Sequence, residues 1–126
     1  MNPAARATRF GTLIPPQRLV HPHPEVGMAR LKRLLWHLLG GTRGGPMRIR
    51  ILQLLRERPL NTNQVTRALG IDYKTAEHHM RVLRENRLVV PSGEGYGTLF
   101  LLSPEFEESI DEFDVIVAKT RPEEGA

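Results

Sequence analysis

The 126 residues contain no cysteine. That removes a disulfide framework, a thiolate metal site and a catalytic thiol together. Long apolar runs are missing too. The longest aliphatic segment, 34–39, contains His37 and falls far short of the roughly 20 residues a membrane helix needs. Basic residues stand near the amino terminus with no apolar signal core behind them, so a soluble cytoplasmic protein is expected. Acidic residues are almost absent from the front of the chain, where residues 1–50 hold nine Lys or Arg against Glu25 alone. Residues 51–100 hold seven against five, and residues 101–126 reverse the balance with two against eight. A basic front with an acidic end suits a polyanion-binding face and a separately solvated tail. Ordinary surface charge is the competing account.

Catalytic and metal constellations are equally hard to find. The carboxylates gather near the carboxy terminus, and no Ser-His-Asp grouping emerges, so no enzyme is expected. His21 and His23 alternate with prolines and supply only two imidazoles in an extended segment, with no third ligand at suitable spacing. The glycine-rich stretch 40–46 lacks the GxxxxGK[ST] pattern, which excludes a nucleotide-binding P-loop. No cofactor is implied.

What is present is concentrated in residues 61–90, NTNQVTRALGIDYKTAEHHMRVLRENRLVV. Asn61 and Gln64 have the spacing of a capping box at the start of a short helix, with Val65, Ala68 and Leu69 as its buried side. Gly70 suits a left-handed residue after that helix. Asp72 can cap a second helix over 73–86. At about 100° per residue, Ala76, Met80 and Leu83 share one side with His79 beside them. Lys74, His78, Arg81 and Glu85 lie opposite, flanked by Thr75 and Glu77. Two helices with such an outward polar face make a helix-turn-helix, whose second helix enters the DNA major groove. Adjacent His78 and His79 diverge too far to chelate one ion. His79 reads as a half-buried core residue with one hydrogen bond, and His78 as a candidate DNA contact.

The flanks fall into place around this unit. Residues 1–24 form a proline-interrupted basic arm; Arg6, Arg9 and Arg18 either follow a phosphate backbone or contact nothing specific. An amphipathic helix and linker occupy 25–41, with Met28, Leu31, Leu34, Leu35 and Leu38 as the apolar stripe and Trp36 off it, near Lys32 and Arg33. The stretch ending at Pro46 opens a helix to about Arg58 that buries Met47, Ile51, Leu52 and Leu55. Free amides at its start, Gly45 among them, with Arg43 and Arg48 close by, would hold a DNA phosphate; a plain joint is the alternative. Segments 88–91 and 98–102 read as a β-hairpin. Ser103 caps a final helix over 104–118, where Phe106, Ile110, Phe113 and Val117 form one apolar edge, followed by a mobile tail, 119–126. The fold class is mainly α with a small β-hairpin: a winged helix-turn-helix over 42–103 with additional N- and C-terminal helices. The two apolar stripes, Leu31, Leu34, Leu35 and Leu38 on one helix and Phe106, Ile110, Phe113 and Val117 on the other, are expected to meet in a homodimer.

The order helix, helix, turn, recognition helix, wing, helix, with GIDYKTAEHHMRVLRENRLVV followed by GYGTLFLLSPE, resembles the ArsR-type winged helix-turn-helix transcription regulators, in particular prokaryotic members without the thiolate metal site. The look of the family suggests an archaeal source. The resemblance covers about 42–118. It implies a homodimer on double-stranded DNA, associated with the nucleoid, with Lys74, Thr75, His78 and Arg81 facing the groove and Tyr73 near a phosphate. Glu94 stands at the wing tip where a basic residue would favour DNA, leaving Tyr96 and glycine amides for phosphate contact. The expected function is sequence-specific transcription regulation. A DNA-coating architectural protein and a winged-helix protein-interaction adaptor remain open, and no small-molecule effector is visible.

Overall fold

The computed structural model describes residues 24–95 and 97–120. The chain divides into two compact units at Leu31 and Lys32. The first holds the opening turns of α1 (Pro24–Leu35); the second contains everything that follows. The basic arm before Pro24, Tyr96 and the last six residues, including their tail, lie outside the described residues.

After α1 the chain makes a wider π turn over Trp36–Gly40. Leu35, Leu38 and Leu39 are all buried there, as their i, i+3, i+4 spacing requires. Trp36, off that stripe, is held by its indole Nε1–H, which donates to Glu112 at 2.6 Å, with Lys32 4.0 Å from the same carboxylate. Next comes α2 (Gly45–Glu57), with Pro46 in its first turn and Arg48, Ile49, Ile51, Leu52 and Leu55 buried. Gly45 is required by close packing: a Cβ there would overlap the Leu39 carbonyl.

Two capped helices follow, α3 (Thr62–Leu69) and α4 (Tyr73–Glu85). Asn61 and Gln64 form the reciprocal capping box, each bond 2.8 Å long. Gly70 takes φ 69°, and its amide and that of Ile71 both bond the Thr66 carbonyl, closing α3 in the left-handed manner glycine permits. On α3 only Val65 is fully buried; Ala68, expected inside, is exposed because the helix offers the core a single narrow edge. α4 buries Ala76, His79, Met80 and Leu83. It ends on Arg87 at φ 62°, the one described non-glycine residue with a positive φ. Left-handed backbone costs a side-chain-bearing residue about 1–2 kcal/mol. Arg87→Gly should therefore raise stability by about 0.5–1 kcal/mol after the glycine's extra unfolded-state entropy, seen as a higher urea midpoint.

The hairpin pairs β1 (Val89–Pro91) with β2 (Phe100–Leu102), antiparallel, with Val90 opposite Leu101. Leu60, between α2 and α3, exchanges two backbone hydrogen bonds with Phe100 and ties the wing to the helices. The final helix is two: α5 (Pro104–Glu108), capped by Ser103, and α6 (Ile110–Thr120), separated by buried Ser109. That bend brings Phe106 and Phe113 edge to face, ring centroids 5.2 Å apart.

The expected dimer stripes need correction. Leu35, Leu38, Phe106 and Phe113 are buried within one chain, Phe106 completely. The bend at Ser109 and the contact of α6 with the π turn close these residues into the core. Leu31, Leu34, Ile110 and Val117 stay partly exposed.

Candidate nucleic-acid interface

The outward face of α4 is built by its caps. Asp72 accepts the Thr75 amide at 2.7 Å, and that hydrogen bond holds its carboxyl below the usual carboxylate range. The helix therefore starts at a fixed residue, and its side-chain directions follow. Lys74, His78, Arg81 and Glu85 are exposed and Thr75 is half-buried. Tyr73 is 40% exposed, unusual for a large aromatic with no core to cover it.

These residues do not all line one cleft. Tyr73, Glu77, Arg81 and Arg84 line a cleft of about 540 Å³ between α4, the start of α3 and the wing, whose far wall includes Gly93, Glu94 and Gly95. Lys74, Thr75 and His78 do not line it. Arg84, Thr62 and Asn63 went unnoticed in the sequence, where Asn61 has only a capping role. The signal was available, since positions 73, 77, 80 and 84 form a helical stripe at spacings of four, three and four. Met80 and Phe100 form the apolar floor and the arginines a basic edge, while Glu77 and Glu94 oppose an anion at two points.

The expected phosphate cradle at the start of α2 does not exist in that form. Gly45 donates its amide to the Thr42 carbonyl at 3.1 Å. Arg48 is 5% exposed. Its Nε and Nη2 donate to the Leu38 carbonyl at 3.2 and 3.0 Å, and Nη2 also donates to Thr42 Oγ1 at 2.6 Å. Its Nη1 lies 3.3 Å from His79 Nδ1. A guanidinium committed to these partners is not free for DNA, so Arg48 and Gly45 leave the phosphate set. Arg43 is exposed. Tyr96, also expected to touch phosphate, lies outside the described residues.

His79 is buried and His78 exposed, their rings 5.5 Å apart and tilted by 55°. Among the described residues no three His, Cys, Asp or Glu side chains group as metal ligands. No described helix is long and apolar enough to cross a membrane.

Residues 45–90 match the family model of the bacterial regulatory proteins of the arsR family. Over those residues the chain is similar to the ArsR-family helix-turn-helix. The match runs from the first residue of α2 to β1, the segment that holds α4 in place. The same architecture recurs in solved structures. The homodimeric winged helix-turn-helix DNA-binding domain of Mb0332 from Mycobacterium bovis, a possible ArsR-family transcriptional regulator, is 18% identical, with 86% of this chain and 97% of that one covered at a TM-score of 0.56. Reduced HlyU from Vibrio cholerae is 17% identical, covering 78% and 98%, at 0.55. The transcriptional repressor CouR, bound to a 23-mer DNA duplex, is 17% identical, covering 76% and 70%, at 0.54. At such identities the likeness establishes a winged helix-turn-helix architecture. No curated protein matches the chain.

Proposed function

We propose that the chain is a cytoplasmic, sequence-specific DNA-binding transcription regulator that places α4 in the major groove and acts as a homodimer. The observation that carries this reading is the doubly capped α4, whose buried side seats Ala76, Met80 and Leu83 while Lys74, His78 and Arg81 stand free. Such a helix presents base-reading groups at fixed positions, which is what direct readout requires. In the cleft beside it Arg81 and Arg84 offer cationic groups to DNA phosphate, against the opposing carboxylates of Glu77 and Glu94. The neighbour CouR is a transcriptional repressor bound to a 23-mer DNA duplex, which supports DNA as the partner.

Dimerisation rests on what the monomer leaves open. Leu31, Leu34, Ile110 and Val117 remain partly exposed and Val115 is 43% exposed. The neighbour Mb0332 is homodimeric. In this reading two copies set their α4 helices about one DNA turn apart, roughly 34–36 Å. Sedimentation gives the state directly, and a monomer at micromolar concentration removes the dimer.

A salt titration tests the DNA reading. Phosphate binding makes log K fall steeply and linearly with log salt. Failure to bind any duplex at low salt would favour the adaptor, for which exposed Glu77 and Glu85 on α4 would be the supporting feature. Arg81→Ala is expected to weaken binding of a specific duplex by about 1–3 kcal/mol and relax preference at one base position. Unchanged affinity and preference would remove Arg81 from the reading set.

A further inference from the structure

One polar residue of α4 turns inward. The His79 ring lies against Gly44, where an added Cβ would stand 3.0 Å from His79 Cε1 and 2.6 Å from Arg48 Nη1. Glycine at 44 keeps this space open for the Arg48–His79 contact. Through its other nitrogens the same guanidinium grips the Leu38 carbonyl and Thr42. One buried side chain of α2 thus joins the π turn, the linker and α4.

The contact has a chemical condition. The Arg48 guanidinium only donates, so His79 Nδ1 must carry a lone pair, which assigns the neutral ring its proton on Nε2. An imidazolium would set donor against donor and positive charge against positive charge. We propose that Arg48 and His79 are positioning residues for DNA reading, seating α4 on the segment that precedes α2, and that a proton on His79 releases this seat and weakens DNA binding. The inference rests on the reading of α4 as the DNA-reading helix.

The charged groups that bear on the ring are Arg48 from α2 and His78 from its own helix. β1 carries no charge, and the remaining charged residues of α2 and α3 (Arg50, Arg56, Glu57 and Arg67) are exposed. Burial first, then Arg48 and His78, holds the His79 pKa below the ordinary imidazole value. The sign follows: the folded state prefers the neutral ring. Its contribution is complete above the ordinary imidazole pKa and is lost as pH falls through that value toward the lowered one. His78, the other imidazole of α4, is exposed on the reading face.

The test uses the full chain with His78→Gln, which leaves His79 as the one imidazole of α4, compared with the same chain carrying His79→Asn as well. Asparagine keeps an acceptor for Arg48 and cannot be protonated. Affinity for a short duplex of fixed sequence is followed at constant salt from about pH 7.5 to 5.5, alongside hydrogen-exchange protection of the α4 amides without DNA. Across that range the His78→Gln chain should lose roughly tenfold in affinity as the pH falls, and α4 protection should fall in step. The double variant should be flat in both. A double variant that titrates like its parent, or α4 protection that does not change with pH in the parent, overturns the proposal. Failure of the native chain to bind the duplex at any pH would defeat the DNA reading instead, while exchange protection still decides the positioning role. Should the double variant not fold, NMR of the His78→Gln chain serves: the His79 ring and the α4 amides must titrate with one midpoint, and separate midpoints overturn the proposal.

Discussion

Phe113→Glu is expected to unfold the chain's compact unit and not to split a folded dimer. Phe113 is 1% exposed and packs edge-on against Phe106, which is fully buried. Removing such a ring from a core costs about 3–5 kcal/mol. Placing a carboxylate in the gap adds desolvation with no partner to offset it. Domain stabilities are about 5–15 kcal/mol, so this one change consumes much of the total. Trp36, the only tryptophan, bonds Glu112 on the same helix and reports the loss by fluorescence during urea titration. A variant that keeps native helix content, with only its oligomeric state altered, would return Phe113 to an intermolecular surface.

Arg48→Ala is expected to cost about 2–4 kcal/mol of stability, since hydrogen bonds to a charged group contribute roughly 1.5–3 kcal/mol each and buried partners left alone add their own penalty. Thr42 Oγ1 and His79 Nδ1 lose the guanidinium donor at once, and the Leu38 carbonyl keeps only the Thr42 hydroxyl at 3.0 Å. Exposed Arg43 offers the contrast. Arg43→Ala should leave the urea midpoint nearly unchanged and flatten the salt slope of DNA binding by about one unit if a phosphate contact is lost. The opposite pattern, with Arg48→Ala stable and flatter in salt, would restore Arg48 to the phosphate face.

These two arginines show where sequence reasoning reached its limit. Short-range signals were legible: the Asn61–Gln64 box, Gly70, Asp72 and Ser103 all act where their spacing places them. So was the inward face of α4, because helical periodicity is local and its caps fix the register. Burial in three dimensions was not. Arg48 lies three residues after Gly45 in a basic, glycine-rich stretch, which reads as an anion cradle until the π turn brings the Leu38 carbonyl onto its guanidinium. The apolar edge of the last helix likewise has the same pattern whether it faces a second chain or its own core. The bend at Ser109 decided that for Phe106 and Phe113. The cleft behind Tyr73, Arg81 and Arg84 escaped notice because it depends on the wing, which Leu60 anchors through backbone bonds that no side-chain pattern announces.

Selection of binding sites from random-sequence duplexes, followed by affinity at fixed salt for the selected duplex and for a random one, tests the claim that α4 reads DNA sequence. The account predicts a twofold-symmetric site with half-sites about 10 base pairs apart and a preference of roughly 10³ or more. Equal affinity for both duplexes, with no sequence enriched, would contradict it and leave a DNA-coating role in its place.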